Sequence, residues 1–287
     1  MNASYRLGLA AVLSASLCTS TGGLLVRLIE DADAWQVLFY RSLFFCLAIF
    51  GFLVWRHGPG TAAAFRAVGK PGLIVAIALA VAFVSYIQAL YVASVAKVVF
   101  IISCSPFFAA LFAWLVLREA VRPGFWLALG AALSGIAIMA GASLLAGESW
   151  GAFVAFGSCL GYAATLVAFR AGRGVDMLPA CCLAGLITLA ASAAMAPGLA
   201  ISAHDLAIAA LLGVFQLALQ YILLTLGSRS VPAAEIALLG RLQLVLAPLW
   251  VWLFIDEVPA TTTLIGGAIV AAAVFGHALQ GLKAERS

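Results

Sequence analysis

Hydrophobic residues along this chain run in long unbroken stretches, without the period-2 alternation of half-buried strands. Between Arg6 and Arg27 no charged residue interrupts the sequence, which matches the roughly 20 apolar residues, at about 1.5 Å each, that carry a helix across a bilayer. Breaking the chain at charges, Pro and Gly predicts spans near 5–28, 34–55, 72–93, 96–117, 123–145, 150–170, 177–197, 205–228, 231–254 and 260–281. The connections between them are short. The longest opens at Trp55-Arg56-His57-Gly58-Pro59-Gly60 and runs to Lys70-Pro71, and none has room for a soluble domain. The first run exceeds a signal-peptide core, and Ala15-Ser16-Leu17 before Cys18 lacks a small-x-small cleavage pattern, so a retained first helix is expected.

Composition removes the alternatives. Hydrophobic residues make up 66% of the 287 and charged ones 9%, with a mean hydropathy of +1.17, whereas soluble domains are about a quarter charged. In hydrocarbon the backbone must pair within a helix or a closed barrel, and the runs lack the alternation of barrel strands. The expected fold is therefore an all-α membrane protein of ten transmembrane helices. Cys18, Cys46, Cys104, Cys159, Cys181 and Cys182 all lie inside apolar runs without metal-like spacing, and are expected to pack rather than react.

The formal charge of +4 reflects topology better than an affinity for nucleic acid. With the N-terminus cytoplasmic, the inner side collects Arg6, Arg56, Arg66, Lys70, Arg118, Arg122, Arg170, Arg173, Arg229, Lys283 and Arg286, and the outer side only Arg27 and Lys97. That asymmetry predicts an inner-membrane protein with both termini cytoplasmic. It also requires an even number of spans.

The two halves of the chain repeat. Ala109-Ala110-Leu111-Phe112-Ala113-Trp114-Leu115-Val116-Leu117-Arg118-Glu119 aligns with Ala247-Pro248-Leu249-Trp250-Val251-Trp252-Leu253-Phe254-Ile255-Asp256-Glu257, and each segment is followed by a Pro turn and a small-residue helix. Glu119 falls on the inner side and Glu257 on the outer. Five spans per unit is an odd number, so the second unit inserts upside down. The expectation is two inverted five-helix repeats, residues 1–145 and 146–287, an arrangement recurrent among secondary transporters.

The segment from Leu90-Tyr91-Val92-Ala93-Ser94-Val95-Ala96 through Ser105-Pro106-Phe107-Phe108 to Arg118-Glu119, with Tyr40-Arg41-Ser42 in the second span, resembles the paired EamA-type units of the drug/metabolite transporter superfamily. The resemblance spans essentially the whole chain. It implies export of a small metabolite by alternating access, and within the superfamily it points to the bacterial branch that exports aromatic and other apolar amino acids. Leu244 stands where the first unit has Pro106, and Pro248 comes a turn later, so the ninth helix is expected to bend at a different level from the fourth.

Charge inside a bilayer is costly and marks candidate sites. Arg241, mid-way along the ninth span, can grip a substrate carboxylate with its planar fork or hold a structural partner. Glu235, near the start of that span, can receive an ammonium or a proton, or simply favour the helix N-terminus. Lys97, at the equivalent place in the other repeat, reads as an interfacial lysine. Arg41 is expected to form a structural ion pair with the outer loop holding Asp31 and Asp33. Polar residues fall on single helix faces: Ser16, Thr19, Ser20 and Gly23; Ser85 and Gln88; Ser158, Tyr162 and Thr165; Gln216 and Gln220. Each stripe is either glue between helices or wall of a shared cavity, and their convergence from four helices favours the cavity. The candidate substrate-binding set is Arg241, Glu235, Tyr86, Gln88, Ser103, Tyr162, Gln216 and Gln220.

No HExxH, GxSxG, Walker or GxGxxG pattern occurs, so neither an enzyme, a metal site nor a cofactor is expected. His277, in the tenth span, reads as an interhelical hydrogen-bonding residue or a proton relay. A channel is the nearest rival, without a filter or charged ring to support it. The partners expected are a small-molecule substrate, an amino acid by the resemblance, and the lipid bilayer, with the protein monomeric.

Overall fold

The computed structural model describes residues 3–117, 123–145, 149–172, 174–227, 230–231, 236, 239–240 and 242–286. Among these every regular element is helical: α1 (Ala3–Ser20), α2 (Gly22–Arg27), α3 (Ala34–His57), α4 (Thr61–Ala67), α5 (Gly69–Val92), α6 (Val95–Ile102), α7 (Ser105–Leu117), α8 (Pro123–Leu145), α9 (Ser149–Ala171), α10 (Leu178–Met195), α11 (Ala203–Leu211), a π-helical stretch Leu212–Leu219, α12 (Gln220–Gly227), α13 (Leu242–Ile255) and α14 (Thr261–Arg286). Seven segments are long and apolar enough to cross a membrane: Tyr5–Arg27, Ala34–Ala67, Gly69–Val92, Val95–Leu115, Trp150–Phe169, Leu178–Met195 and Ala203–Gly227. Three shorter apolar helices, Trp126–Ile138, Leu242–Ile255 and Thr261–Gly276, complete the set among the described residues.

Three of the long segments are interrupted where hydropathy is uniform. The first breaks at Thr21, whose hydroxyl donates to the Cys18 carbonyl at 2.8 Å, just before Gly22 and Gly23, which hold a helix weakly. The Val95–Leu115 segment breaks at Ser103-Cys104. Pro106, two residues on, has no N–H to offer the Ile102 carbonyl, and α6 ends there. The last long segment widens into the π-helical stretch between α11 and α12. Pro248, by contrast, sits inside α13 without ending it.

Helices approach closely where side chains are small, as expected in a bilayer that offers no hydrophobic drive between them. A Cβ on Gly161 of α9 would lie 2.7 Å from the Ala78 carbonyl and 2.9 Å from the Ala82 nitrogen of α5. Three residues before it, the Ser158 hydroxyl donates across to the Ala82 carbonyl at 3.0 Å. Gly135 of α8 meets the Gly266 carbonyl of α14 in the same way, and Gly185 of α10 meets Phe45 and Cys46 of α3. Because the atoms facing Gly161 are backbone, Gly161→Val must push α9 off α5. It is expected to cost about 1–3 kcal/mol and to lower the unfolding temperature in detergent; an unchanged melt would refute this packing.

The outside of the bundle is apolar: Leu127 is 80% exposed, Phe153 68% and Phe254 66%, which suits lipid rather than water. Trp residues mark both ends, Trp55 with Trp114 and Trp126 at one, Trp150 and Trp252 at the other, as an interfacial belt requires. All six cysteines are buried and none forms a disulfide.

Candidate functional site

Inside the bundle, α1, α5, α6, α7, α9, α13 and the π-helical stretch with its α12 continuation enclose a cavity of about 120 Å³, lined by Thr19, Tyr86, Val99, Ile102, Ser103, Ser105, Tyr162, Gln216, Gln220, Gln243 and Ala247. The two helix breaks bear on this chamber. The α6–α7 break brings Ser103 and Ser105 to the wall. Gly22, just past the α1–α2 break, admits the Tyr86 hydroxyl and the Gln216 amide, which a Cβ would meet at 2.7 and 3.2 Å.

A second cavity of about 430 Å³ adjoins the chamber and shares Thr19, Ser105, Tyr162, Gln220 and Gln243 with its lining. Leu224 and Ile236 line both that cavity and a third, of about 670 Å³, which reaches Arg56 and Asp176. At that end Arg56 Nη1 lies 3.1 Å and His57 Nε2 3.5 Å from Asp176 Oδ2.

The opposite end carries a network of side-chain and backbone hydrogen bonds. It lies at the start of α3, whose 24 residues put it about 36 Å from Arg56. Arg27, ending α2, donates from Nε to Glu257 Oε2 at 2.6 Å, and from Nη1 and Nη2 to the carbonyls of Leu90 and Ala93. Glu257 Oε1 accepts from the Val95 nitrogen at 3.0 Å. Thus the arginine caps the C-terminus of α5 and the carboxylate the N-terminus of α6, each where the helix dipole favours its sign. Asp256, in the left-handed region at φ 56°, makes the turn that presents Glu257 after α13. None of the three cavities is lined by residues of this end.

Of the residues singled out from sequence, Tyr86, Ser103, Tyr162, Gln216 and Gln220 line the chamber together. Gln88 does not, and its Nε2 is buried without a partner. Arg241 and Glu235 lie outside the described residues, as does Glu119; the side chain of His277 is likewise not described. The stripes divide. Ser158 is glue to α5, and Thr165 bonds its own helix at the Gly161 carbonyl. Ser20 accepts from Trp250 Nε1 at 2.9 Å, while Thr19 faces the chamber. Gln243 and Ser105 lie outside the expected set; a polar residue two positions after Arg241 in the otherwise apolar ninth span is the available signal for Gln243.

Arg41 departs most from expectation. Asp33 is committed to capping α3, accepting from the Trp35 and Gln36 nitrogens, and eight residues of helix place Arg41 about 12 Å further along. Its side chain is fully buried, with the guanidinium carbon 5.3 Å from the Phe83 ring centre and 5.8 Å from that of Tyr86. Nη2 donates to Gln216 Oε1 at 3.3 Å, while Nε and Nη1 have no partner among the described residues. No ion pair to Arg41 occurs among the described residues.

These features define a multi-pass α-helical membrane protein with a polar chamber inside its bundle. The chain belongs to the EamA-like transporter family, whose pattern it matches twice, over residues 6–141 and 149–278. It is similar to solute carrier family 35 member G1 of Homo sapiens, 25% identical over 296 residues covering 96% of this chain and 79% of that one. A protein of known crystal structure shares the fold at a TM-score of 0.64 and 18% identity, covering 95% of this chain and 96% of its own.

Proposed function

We propose that this protein is a secondary transporter that moves small metabolites, amino acids among them, outward across the bacterial inner membrane by alternating access. The observation that carries the reading is the polar chamber, which two further cavities adjoin in series toward the Arg56–Asp176 end, whereas among the described residues none of the three is lined from the Arg27–Glu257 end. A solute chamber open to one side is one half of an alternating-access cycle. The doubled family match and the aligned Glu119 and Glu257 segments support ten spans in two inverted repeats, residues 1–145 and 146–287. The excess of Arg and Lys at the Arg56 end supports both termini in the cytoplasm, with the chamber facing inward.

Counterflow in proteoliposomes tests this directly. Unlabelled amino acid inside is expected to drive a transient accumulation of labelled amino acid above equilibrium, which a channel cannot produce. Exchange of other metabolites but of no amino acid would sink the cargo, and no exchange at all by folded protein would sink the transporter reading.

A further inference from the structure

We infer that Arg41 is the anchor for a carboxylate on the transported solute, with Gln216 holding its place when the chamber is empty. The inference rests on the transport reading above and names the chemistry its cargo must have. A guanidinium offers five N–H donors. Among the described residues Arg41 uses one, at the long distance of 3.3 Å, and leaves Nε and Nη1 unpartnered although its side chain is fully buried. Two rings beside the cation offset part of the burial cost, but rings do not satisfy the in-plane N–H groups. A buried charge left so poorly paired is expensive unless a ligand completes it.

Arg41 stands directly behind the chamber wall. Its two polar neighbours, Tyr86 and Gln216, both line the cavity. Gln216 belongs to the π-helical stretch, an arrangement that recurs at functional sites because one extra residue re-aims the side chains of that turn. Gly213 of the same stretch makes this possible, since a Cβ there would lie 2.5 Å from the Arg41 carbonyl. Gln216 Oε1 therefore occupies a position where a carboxylate oxygen fits. When the amide swings aside, Nη2 and a free neighbour form the fork that carboxylates accept in pairs. Among the described residues no Asp, Glu or Lys lines the chamber. The positive charge behind the wall thus selects for a carboxylate, while the hydroxyls and amides of Thr19, Ser103, Tyr162 and Gln220 serve a neutral polar remainder.

The test is equilibrium binding to the purified full-length protein in nanodiscs, using three probes that share one side chain: phenylalanine, phenylpropionate and phenethylamine. The two carboxylates are expected to bind and the amine to bind at least about 10-fold more weakly, the worth of a charge-assisted pair. Arg41→Gln and Arg41→Lys should both lose about 10-fold or more toward the carboxylates, because an ammonium lacks the fork. Gln216→Glu keeps the fold readable: it supplies a resident carboxylate, so it should raise the unfolding temperature and abolish binding of both acids. Equal binding of amine and acids, or a Gln216→Glu variant with unchanged melting and unchanged acid binding, would overturn the anchor. Counterflow separates the two readings. Exchange that survives Arg41→Gln at wild-type affinity overturns the anchor alone, whereas acid binding that depends on Arg41 without any exchange overturns transport alone.

Discussion

Replacing Asp205 with Ala is expected to lower stability by about 3 kcal/mol, because three hydrogen bonds from backbone donors to one ionised group are lost together. Asp205 Oδ1 accepts from the Glu30 nitrogen at 2.9 Å, and Oδ2 from those of Asp31 and Ala32 at 3.0 and 2.9 Å. The side chain is fully buried, and its own nitrogen donates to the N-capping Ser202 at 3.0 Å. One carboxylate in the first turn of α11 therefore fixes the 28–33 connection, from which α3 starts. The Ala variant leaves those donors without a replacement acceptor. Asp205→Asn keeps one oxygen and should lose less, about 1–2 kcal/mol, since its amide nitrogen faces an N–H it cannot accept. Thermal unfolding in detergent measures the order wild type, Asn, Ala, and hydrogen exchange should quicken across residues 28–33. An Ala variant that melts with the wild type would contradict this account.

The long segments were legible because spanning a bilayer imposes a length and a composition that no packing partner can override. Observed α5, Gly69–Val92, and α10, Leu178–Met195, lie close to the expected 72–93 and 177–197. The interruptions were not legible from hydropathy, since Thr21, Cys104 and the residues of Leu212–Leu219 are as apolar in context as their neighbours. What breaks or widens those helices is a side-chain hydroxyl bonding its own backbone, a missing N–H, and a tertiary contact between Gly213 and Arg41. The chamber was half legible for a similar reason. Periodicity identifies which polar residues share a face, but Ser158 and Tyr162, four residues apart on α9, separate into glue and wall only once α5 is packed beside them. Arg41 was misread because the nearest acids in sequence seemed its natural partners, and a helix cap had already claimed Asp33.

Removing the arginine of the closed end is expected to change function more than stability. Arg27 and Glu257 come from opposite ends of the chain and meet at the α5–α6 junction; on the proposed alternating-access cycle their network holds while that end is shut and parts when a solute leaves through it. With side chains 23% and 21% exposed, the pair is partly screened, and its loss together with two carbonyl contacts is worth about 2–4 kcal/mol. On that proposed cycle the loss shifts the balance between the two facing states by roughly 30- to 1000-fold. In Arg27→Ala, a cysteine placed at Thr19 should react with a membrane-impermeant maleimide added from the Arg27 side, at a rate at least tenfold that of the same cysteine in the otherwise native chain. Exchanging the charges, Arg27→Glu with Glu257→Arg, should restore closure only in part. A glutamate at 27 cannot donate to the Leu90 and Ala93 carbonyls, and an arginine at 257 cannot accept from the Val95 nitrogen, so both helix dipoles would then face the wrong sign. Full restoration by the swap would mean that the ion pair alone holds the end shut. No change in labelling with Arg27→Ala would mean that neither the pair nor the caps do.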